Sequence, residues 1–243
     1  MIRIEPLAGN KVSSNGVSCA CLLIVRDSED TIARCLDSIL KANAFDQIVL
    51  VLDTRTKDNT PEILDSMAAM NPAITLAWYN WDKDDFSAAR NQTLLLGETK
   101  YGFWMDSDDE LIDTDSVNML LARPGDAAYY YNIIIPTPYG RTVYTKHLRL
   151  FPMLPGVRWE LPIHEQLAFS LRERGIPEIP TPYRILHLGY TSDEQIEGKH
   201  RRYLGIMEKW LREHPGPSQQ RDYIMERASE SRAYLEAKAR RAI

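Results

Sequence analysis

The segment Phe103-Trp104-Met105-Asp106-Ser107-Asp108-Asp109 sets two carboxylates in a D-x-D arrangement directly after a hydrophobic run. Crowded carboxylates repel one another unless water or a cation screens them, so this group does not read as core. A hard divalent ion, Mn2+ or Mg2+, prefers such oxygen ligands and can share itself with two phosphates. The plain alternative is an acidic turn before the next helix, and D-x-D alone is a weak motif. Asp53 heads the stretch Asp53-Thr-Arg-Thr-Lys-Asp58. A carboxylate there can accept hydrogen bonds from a nucleobase or a ribose, while Asp58 reads equally well as a turn residue that starts a helix. Asp85-Phe-Ser-Ala-Ala-Arg90-Asn91 offers one arginine among small residues. Arg90 could reach a phosphate or hold the carboxylates in place; the competing view is a solvated surface side chain. Trp159 could form a stacking platform for a sugar, although tryptophan is more often core.

The apolar patterning supplies elements able to bring these residues together. Val17–Val25 is a compact apolar run, as expected of a buried strand. Ile32, Cys35, Leu36, Ile39 and Leu40 recur at helical spacing, with Ser28 available as an N-cap. Gln47–Leu52 predicts a second strand, and Thr60-Pro61 a capped helix running to about Met70. Ile74–Tyr79, Asp85–Leu96 and Tyr101–Met105 continue as strand, helix and strand. This alternation predicts an α/β fold with a mainly parallel sheet. Ligands of such sheets bind beyond the carboxyl ends of the strands, where Asp27, Asp53 and Asp106 fall. Ala127–Ile135 and Arg141–Phe151 read as a hairpin turned by Pro136, Pro138 and Gly140, and the prolines and glycines of 152–156 and 175–182 predict loops. From Ser192 the chain reads as helical and charged, broken at His214-Pro215-Gly216-Pro217. Three parts follow: a polar lead-in over 1–16, an α/β domain over 17–191, and a helical extension over 192–243.

The 243 residues are 44% hydrophobic, enough for one sizeable core. The formal charge of −5 argues against a protein dedicated to gripping nucleic acid, but not against an anionic ligand held through a metal ion. Cys19, Cys21 and Cys35 sit in apolar stretches with no C-x-x-C spacing, which reads as small core residues in a reducing cytoplasm. No apolar run is long enough to span a bilayer, so a soluble cytoplasmic protein is expected, with contact at a membrane surface left open. In the tail, Tyr203, Ile206, Met207 and Trp210 form a stripe at helical spacing. The stripe predicts that the first tail helix docks on the α/β domain or on another subunit, which would be a route to a homo-oligomer. The final helix is expected to be the more exposed.

Taken in order, these segments resemble the family 2 glycosyltransferases with a GT-A fold, in particular the bacterial branch related to lipopolysaccharide-core glucosyltransferases. The family's I-V-K-N-E-E is similar to Ile24-Val25-Arg26-Asp27-Ser28-Glu29, and its V-D-T-G-S-T-D-G-T to the stretch from Leu52 to Thr60. Its D-F-S-x-A-R-N is intact from Asp85 to Asn91, and its L-D-A-D-E resembles Met105-Asp106-Ser107-Asp108-Asp109. The likeness resumes at Arg149-Leu150-Phe151, at Ile163-His164-Glu165 and at Leu186-His187-Leu188-Gly189-Tyr190. Arg55 and Asn59 stand where the family has glycines.

The resemblance implies roles for these positions. Val25, Asp27, Asp85 and Arg90 would belong to the nucleotide-sugar site, Asp53 would contact the base, and Asp106 would lie near the ribose. Asp108 would bind Mn2+ or Mg2+, His187 would complete the coordination, and Glu165 would be the catalytic base. His164 would orient its loop or meet the metal or the acceptor. The implied reaction is an inverting transfer of sugar from a nucleotide-diphosphate donor, a UDP-sugar for preference, to an acceptor hydroxyl that the residues do not encode. A nucleotidyltransferase would share the layout, but it normally carries a glycine- and lysine-rich phosphate loop. Arg26-Asp27-Ser28-Glu29-Asp30 is acidic and lacks glycine. A catalytically silent nucleotide-sugar-binding module is disfavoured by the intact Asp106, Asp108, Glu165 and His187.

Overall fold

The computed structural model describes residues 17–81, 85–123, 125–137, 140–189 and 192–241. The lead-in expected over 1–16, Pro138 of the expected turn and Tyr190 lie outside the described residues. Four parallel strands form the half that carries the first motifs: β1 (Cys19–Val25), β2 (Gln47–Asp53), β3 (Ile74–Tyr79) and β4 (Tyr101–Asp106). Every residue of β1 is buried, because helices cover a parallel sheet on both faces. Val25 stands opposite Leu52 and Ile24 opposite Asp106, so the carboxyl ends of β1, β2 and β4 lie level.

The sheet continues through mixed pairing, antiparallel at every step but one. Its order is β3-β2-β1-β4-β7-β6-β8-β5, with β5 (Asp109–Leu111), β6 (Ala128–Pro136), β7 (Thr142–Pro152) and β8 (Glu178–His187). β5 starts three residues after β4 ends, yet it pairs with β8 at the far edge. Three residue steps span only about 10 Å, so the sheet must curl until that edge returns to the end of β4. The β5–β8 pairing sets Asp109 opposite His187. β8 is a correction, since its prolines predicted a loop. The strand accommodates them where its register with β6 slips between Tyr130↔Pro180 and Asn132↔Arg184. There Asn132 Nδ2 donates to the carbonyls of Thr181 and Tyr183 and closes the irregularity.

The helix starts differ in detail from expectation. Helix α1 (Ile32–Ala42) has Thr31 at its N-cap, while Ser28 Oγ shares a hydrogen bond with Ser107 Oγ (2.8 Å) and donates to the Arg26 carbonyl. The first loop is thereby tied to the D-x-D loop. Helix α2 (Thr60–Met70) has Asn59 at its N-cap, and Thr60 is already helical. Asp58 takes the structural of its two readings: one oxygen accepts from Thr60 N (3.1 Å) and the other from Glu29 N (2.9 Å). Helix α3 (Phe86–Leu96) follows β3; α4 (Ser116–Leu121) and α5 (Ala168–Arg172) are short.

The tail forms α6 (Asp193–Glu213) and α7 (Gln219–Arg241), divided at the expected Pro-Gly-Pro break. Met207 of α6 and Ile224 and Ala228 of α7 are fully buried in one cluster with Leu161, Ile163 and Phe169; Tyr203, Ile206 and Trp210 pack at its margin. Docking of α6 follows the apolar stripe. As expected, α7 has the larger share of exposed residues, yet it supplies two of the three fully buried tail residues, and Ser231 is buried as well. Its apolar positions are too sparse among charges to stand out in the sequence. Ile224→Ala is expected to destabilise the chain by about 2 kcal/mol, read as a lower urea midpoint with unchanged slope. A midpoint equal to wild type would mean that α7 is not part of the cooperative core. No helix among the described residues is long and apolar enough to cross a membrane.

Candidate active site

The D-x-D segment and the end of β8 converge. Asp106, Asp108, Asp109 and His187 each present a ligand atom, and these atoms all lie within 4.8 Å of one another. His187 Nδ1 is 2.9 Å from Asp109 Oδ1 and 3.3 Å from Asp108 Oδ1. A carboxylate on one ring nitrogen fixes the tautomer and orients the other nitrogen. Gly189 completes the pocket: a Cβ there would collide with Asp108 Oδ2 and stand 3.0 Å from His187 Nε2. Only glycine leaves the space between those two atoms open.

The charges explain the titration of the cluster. Burial, together with Asp106 and Asp109, pushes Asp108 up to about 6. Burial alone would lower His187, but its hydrogen bond with Asp109 and the surrounding carboxylates hold it up at about 8. Burial also opposes ionisation of Asp106, yet the guanidinium groups of Arg90 and Arg149 keep it well below the usual carboxylate range.

Arg149 is the residue that reading the sequence missed as a site component. It is the largest fully buried side chain. Its Nη1 is 2.8 Å from Asp109 Oδ2 and donates to the Trp104 carbonyl, and its Cζ lies 3.6 Å from the centroid of the Trp104 ring. The same indole carries the Arg90 guanidinium, whose Cζ is 4.4 Å from the centroid. The available signal was the Arg-Leu-Phe segment, in which an arginine precedes the buried end of a strand.

Arg90 joins two centres. Its Nε donates to Glu165 Oε1 and its Nη2 to Asp106 Oδ1, both at 2.6 Å, and the residue is 5% exposed. Of its two predicted uses this is the holding one, and the guanidinium is not presented to solvent. The rest of its helix holds the segment leading to Glu165. Asp85 caps α3 by accepting from Ala88 N, Phe86 N donates to the Pro162 carbonyl (2.8 Å), and Asn91 exchanges two hydrogen bonds with the backbone of Trp159. The observed contacts of Asp85 are therefore those of a helix cap rather than of a ligand site.

Other expected contacts are also revised. Asp53 is fully buried, and Arg55, two residues on, covers it through Nε, Nη2 and its backbone N–H. Nη1 of Arg26 also stands 3.6 Å from Asp53 Oδ2. Val25 is buried in the core, so only its backbone reaches the strand end. Trp159 is 4% exposed, edge-on to Trp104 and beneath Arg90, which leaves no free face for a sugar. His164 sits edge-on to Tyr203 of α6, and burial lowers it to about 4; it lies in the Glu165 loop and outside the carboxylate–histidine cluster. Asp27 lines a cavity of about 530 Å³ with Arg26, Trp81, Phe86 and Arg202.

A family model for glycosyl transferase family 2 matches residues 21–189. The chain belongs to that family. The motifs that converge here lie within the matched span, and the mixed sheet flanked by helices is the GT-A arrangement. Among curated relatives, a TPR repeat-containing protein of Synechococcus elongatus is 34% identical over 79% of this chain and 48% of its own length. The SPbeta prophage-derived glycosyltransferase SunS of Bacillus subtilis is 26% identical over 88% of this chain and 50% of its own. The chain thus spans about half the length of the curated relatives it matches. Among solved structures, TarS of S. aureus with UDP-GlcNAc superposes with a TM-score of 0.57 at 13% identity, covering 88% of this chain and 71% of that one. The mannosyltransferase PcManGT of Pyrobaculum calidifontis, with GDP-Man and Mn2+, gives 0.58 at 14% identity, covering 95% and 73%. At those identities the likeness is one of fold.

Proposed function

We propose that this family 2 chain is an inverting glycosyltransferase that moves a sugar from a nucleotide-diphosphate donor to an acceptor hydroxyl. The observation that carries the reading is the Arg90 bridge, which fastens Glu165 beside the carboxylate–histidine cluster. Glu165 Oε1 is held by Arg90, and Oε2 takes no hydrogen bond among the described residues. That oxygen is the one placed to accept the acceptor's proton as its hydroxyl attacks the anomeric carbon. A single displacement with one base inverts that carbon, and by analogy with glycoside hydrolysis the transition state resembles an oxocarbenium ion.

The donor set fits a divalent cation. Asp106, Asp108, Asp109 and Glu165 set four carboxylates against the two guanidinium groups of Arg90 and Arg149, an excess of two negative charges before His187 is counted. Asp108 and His187 would hold the ion, with Asp106 beside them, while Asp109 fixes the imidazole. When bound, Mn2+ or Mg2+ supplies Lewis-acid stabilisation of the leaving diphosphate. A UDP-sugar is the donor to test first: TarS is solved with UDP and UDP-GlcNAc, and PcManGT with GDP-Man, so GDP-mannose is the natural comparison. A panel of nucleotide sugars, assayed for cleavage with Mn2+ and with EDTA, tests the proposal; no cleavage of any donor under any condition would refute it.

Metal affinity carries a pH signature. Binding needs Asp108 ionised and His187 neutral at the coordinating nitrogen, and these groups titrate near 6 and 8. Each proton that must leave weakens binding about tenfold per pH unit below its pKa. Mn2+ affinity is expected to rise close to tenfold per unit from pH 6 to 8 and to level off above 8, measured by calorimetry at several pH values. A flat profile over that range would remove His187 from the ligand set.

A further inference from the structure

We propose that the α6–α7 pair is a positioning element of the active site, which holds the strained loop ending in Glu165. The inference rests on Glu165 being the base. The loop is closed by a two-way backbone bridge between Glu160 and Gln166 (3.0 and 2.9 Å). Within it Leu161 has φ 77° and His164 φ 52°, left-handed conformations that a side chain disfavours. Such strain persists only where the surroundings over-determine it.

The tail helices supply much of that surrounding structure. Leu161 and Ile163 are buried against Met207, Ile224 and Ala228. The strained His164 packs its ring edge-on to Tyr203 at 5.7 Å. Gln166 Nε2 donates both to the His164 carbonyl (3.2 Å) and to the hydroxyl of Tyr223 on α7 (2.9 Å). Gln220 of α7 donates to Glu160 Oε2 at 2.8 Å. Both closing residues of the loop, and its apolar interior, are therefore gripped by the tail, while α3 grips Pro162 and Glu165 through Phe86 and Arg90. With the carboxylate needing placement to within about half an ångström, slack in either grip costs turnover before it costs donor binding. Tyr223 and Gln220 are the positioning residues.

The test uses the full chain carrying Tyr223→Phe and Gln220→Ala, which removes both polar anchors while keeping the aromatic ring. Amide exchange over 161–166 should quicken about tenfold, and kcat for transfer should fall about tenfold. Donor affinity, measured without acceptor, should stay within twofold of wild type. Unchanged exchange overturns the proposal, and so does faster exchange with unchanged kcat, because the helices would then serve stability alone. If the double variant does not fold, Gln220→Ala alone is judged by the same readouts. If wild type cleaves no nucleotide sugar, the glycosyltransferase reading fails, and exchange still decides whether the tail holds the loop.

Discussion

Glu165→Gln is expected to cut sugar transfer between about a hundredfold and ten-thousandfold while leaving donor and metal binding close to wild type. The range is that of losing a positioned general base. The substitution keeps the size of the side chain and an amide oxygen that can still accept from Arg90 Nε, now 2.6 Å from Glu165 Oε1. What disappears is the acceptor for the hydroxyl proton, so the loss should fall on kcat rather than on KM for the donor. Asp109, the other carboxylate that stands near enough to suggest itself, is no substitute. It is fully buried and occupied by Arg149, by the Asp106 amide and by His187. Steady-state transfer with the donor found by screening, compared with donor affinity from calorimetry, checks the split. Transfer at the wild-type rate would place the base elsewhere.

The half of the fold made of β1 to β4 was readable because β1, β2 and β4 are buried on both faces and therefore written as apolar runs, while β3 at the edge is only partly buried. The helices between them announce themselves by period. The D-x-D cluster, Glu165 and His187 were readable as ordered motifs, and the structure brings the cluster together through one short strand pairing, Asp109 with His187. What escaped has physical reasons. β8 contains Pro180 and Pro182, which argue for a loop until an irregular register excuses them. Arg149 is an arginine in a fully buried place, where composition rules expect none. The position of Asp53 at a strand end was readable, but its cover by Arg55, two residues later, was not, because that contact is local and depends on one side chain. Trp159 became core for the ordinary reason that an indole buries more area than a sugar platform can spare. Burial of α7 depends on isolated residues, Ile224 and Ala228, that carry no pattern of their own.

Asp108→Ala should abolish donor cleavage, and the metal-free protein should become more stable rather than less. The two effects share one cause. Asp108 is pushed up to about 6 by burial and by the carboxylates beside it, so its folded-state pKa lies above its unfolded value. A carboxylate shifted in that direction weakens the fold progressively as the pH rises from its ordinary value to about 6, with the full loss present above that, because the unfolded chain ionises it more cheaply. At pH 7.5 the charge is a standing cost that a bound cation offsets. Its removal is expected to return about 1–2 kcal/mol to the metal-free fold, seen as a higher unfolding temperature in EDTA. In wild type, Mn2+ should raise the unfolding temperature, and EDTA should stop donor cleavage; in the variant neither agent should do anything. Glycosyl transfer that persists undiminished in EDTA would sink the metal-dependent part of the proposal while sparing the base. An Asp108→Ala protein that loses activity only because it unfolds at a lower temperature would sink the account of Asp108 as a destabilising ligand, and with it the argument that this cluster is built around a cation.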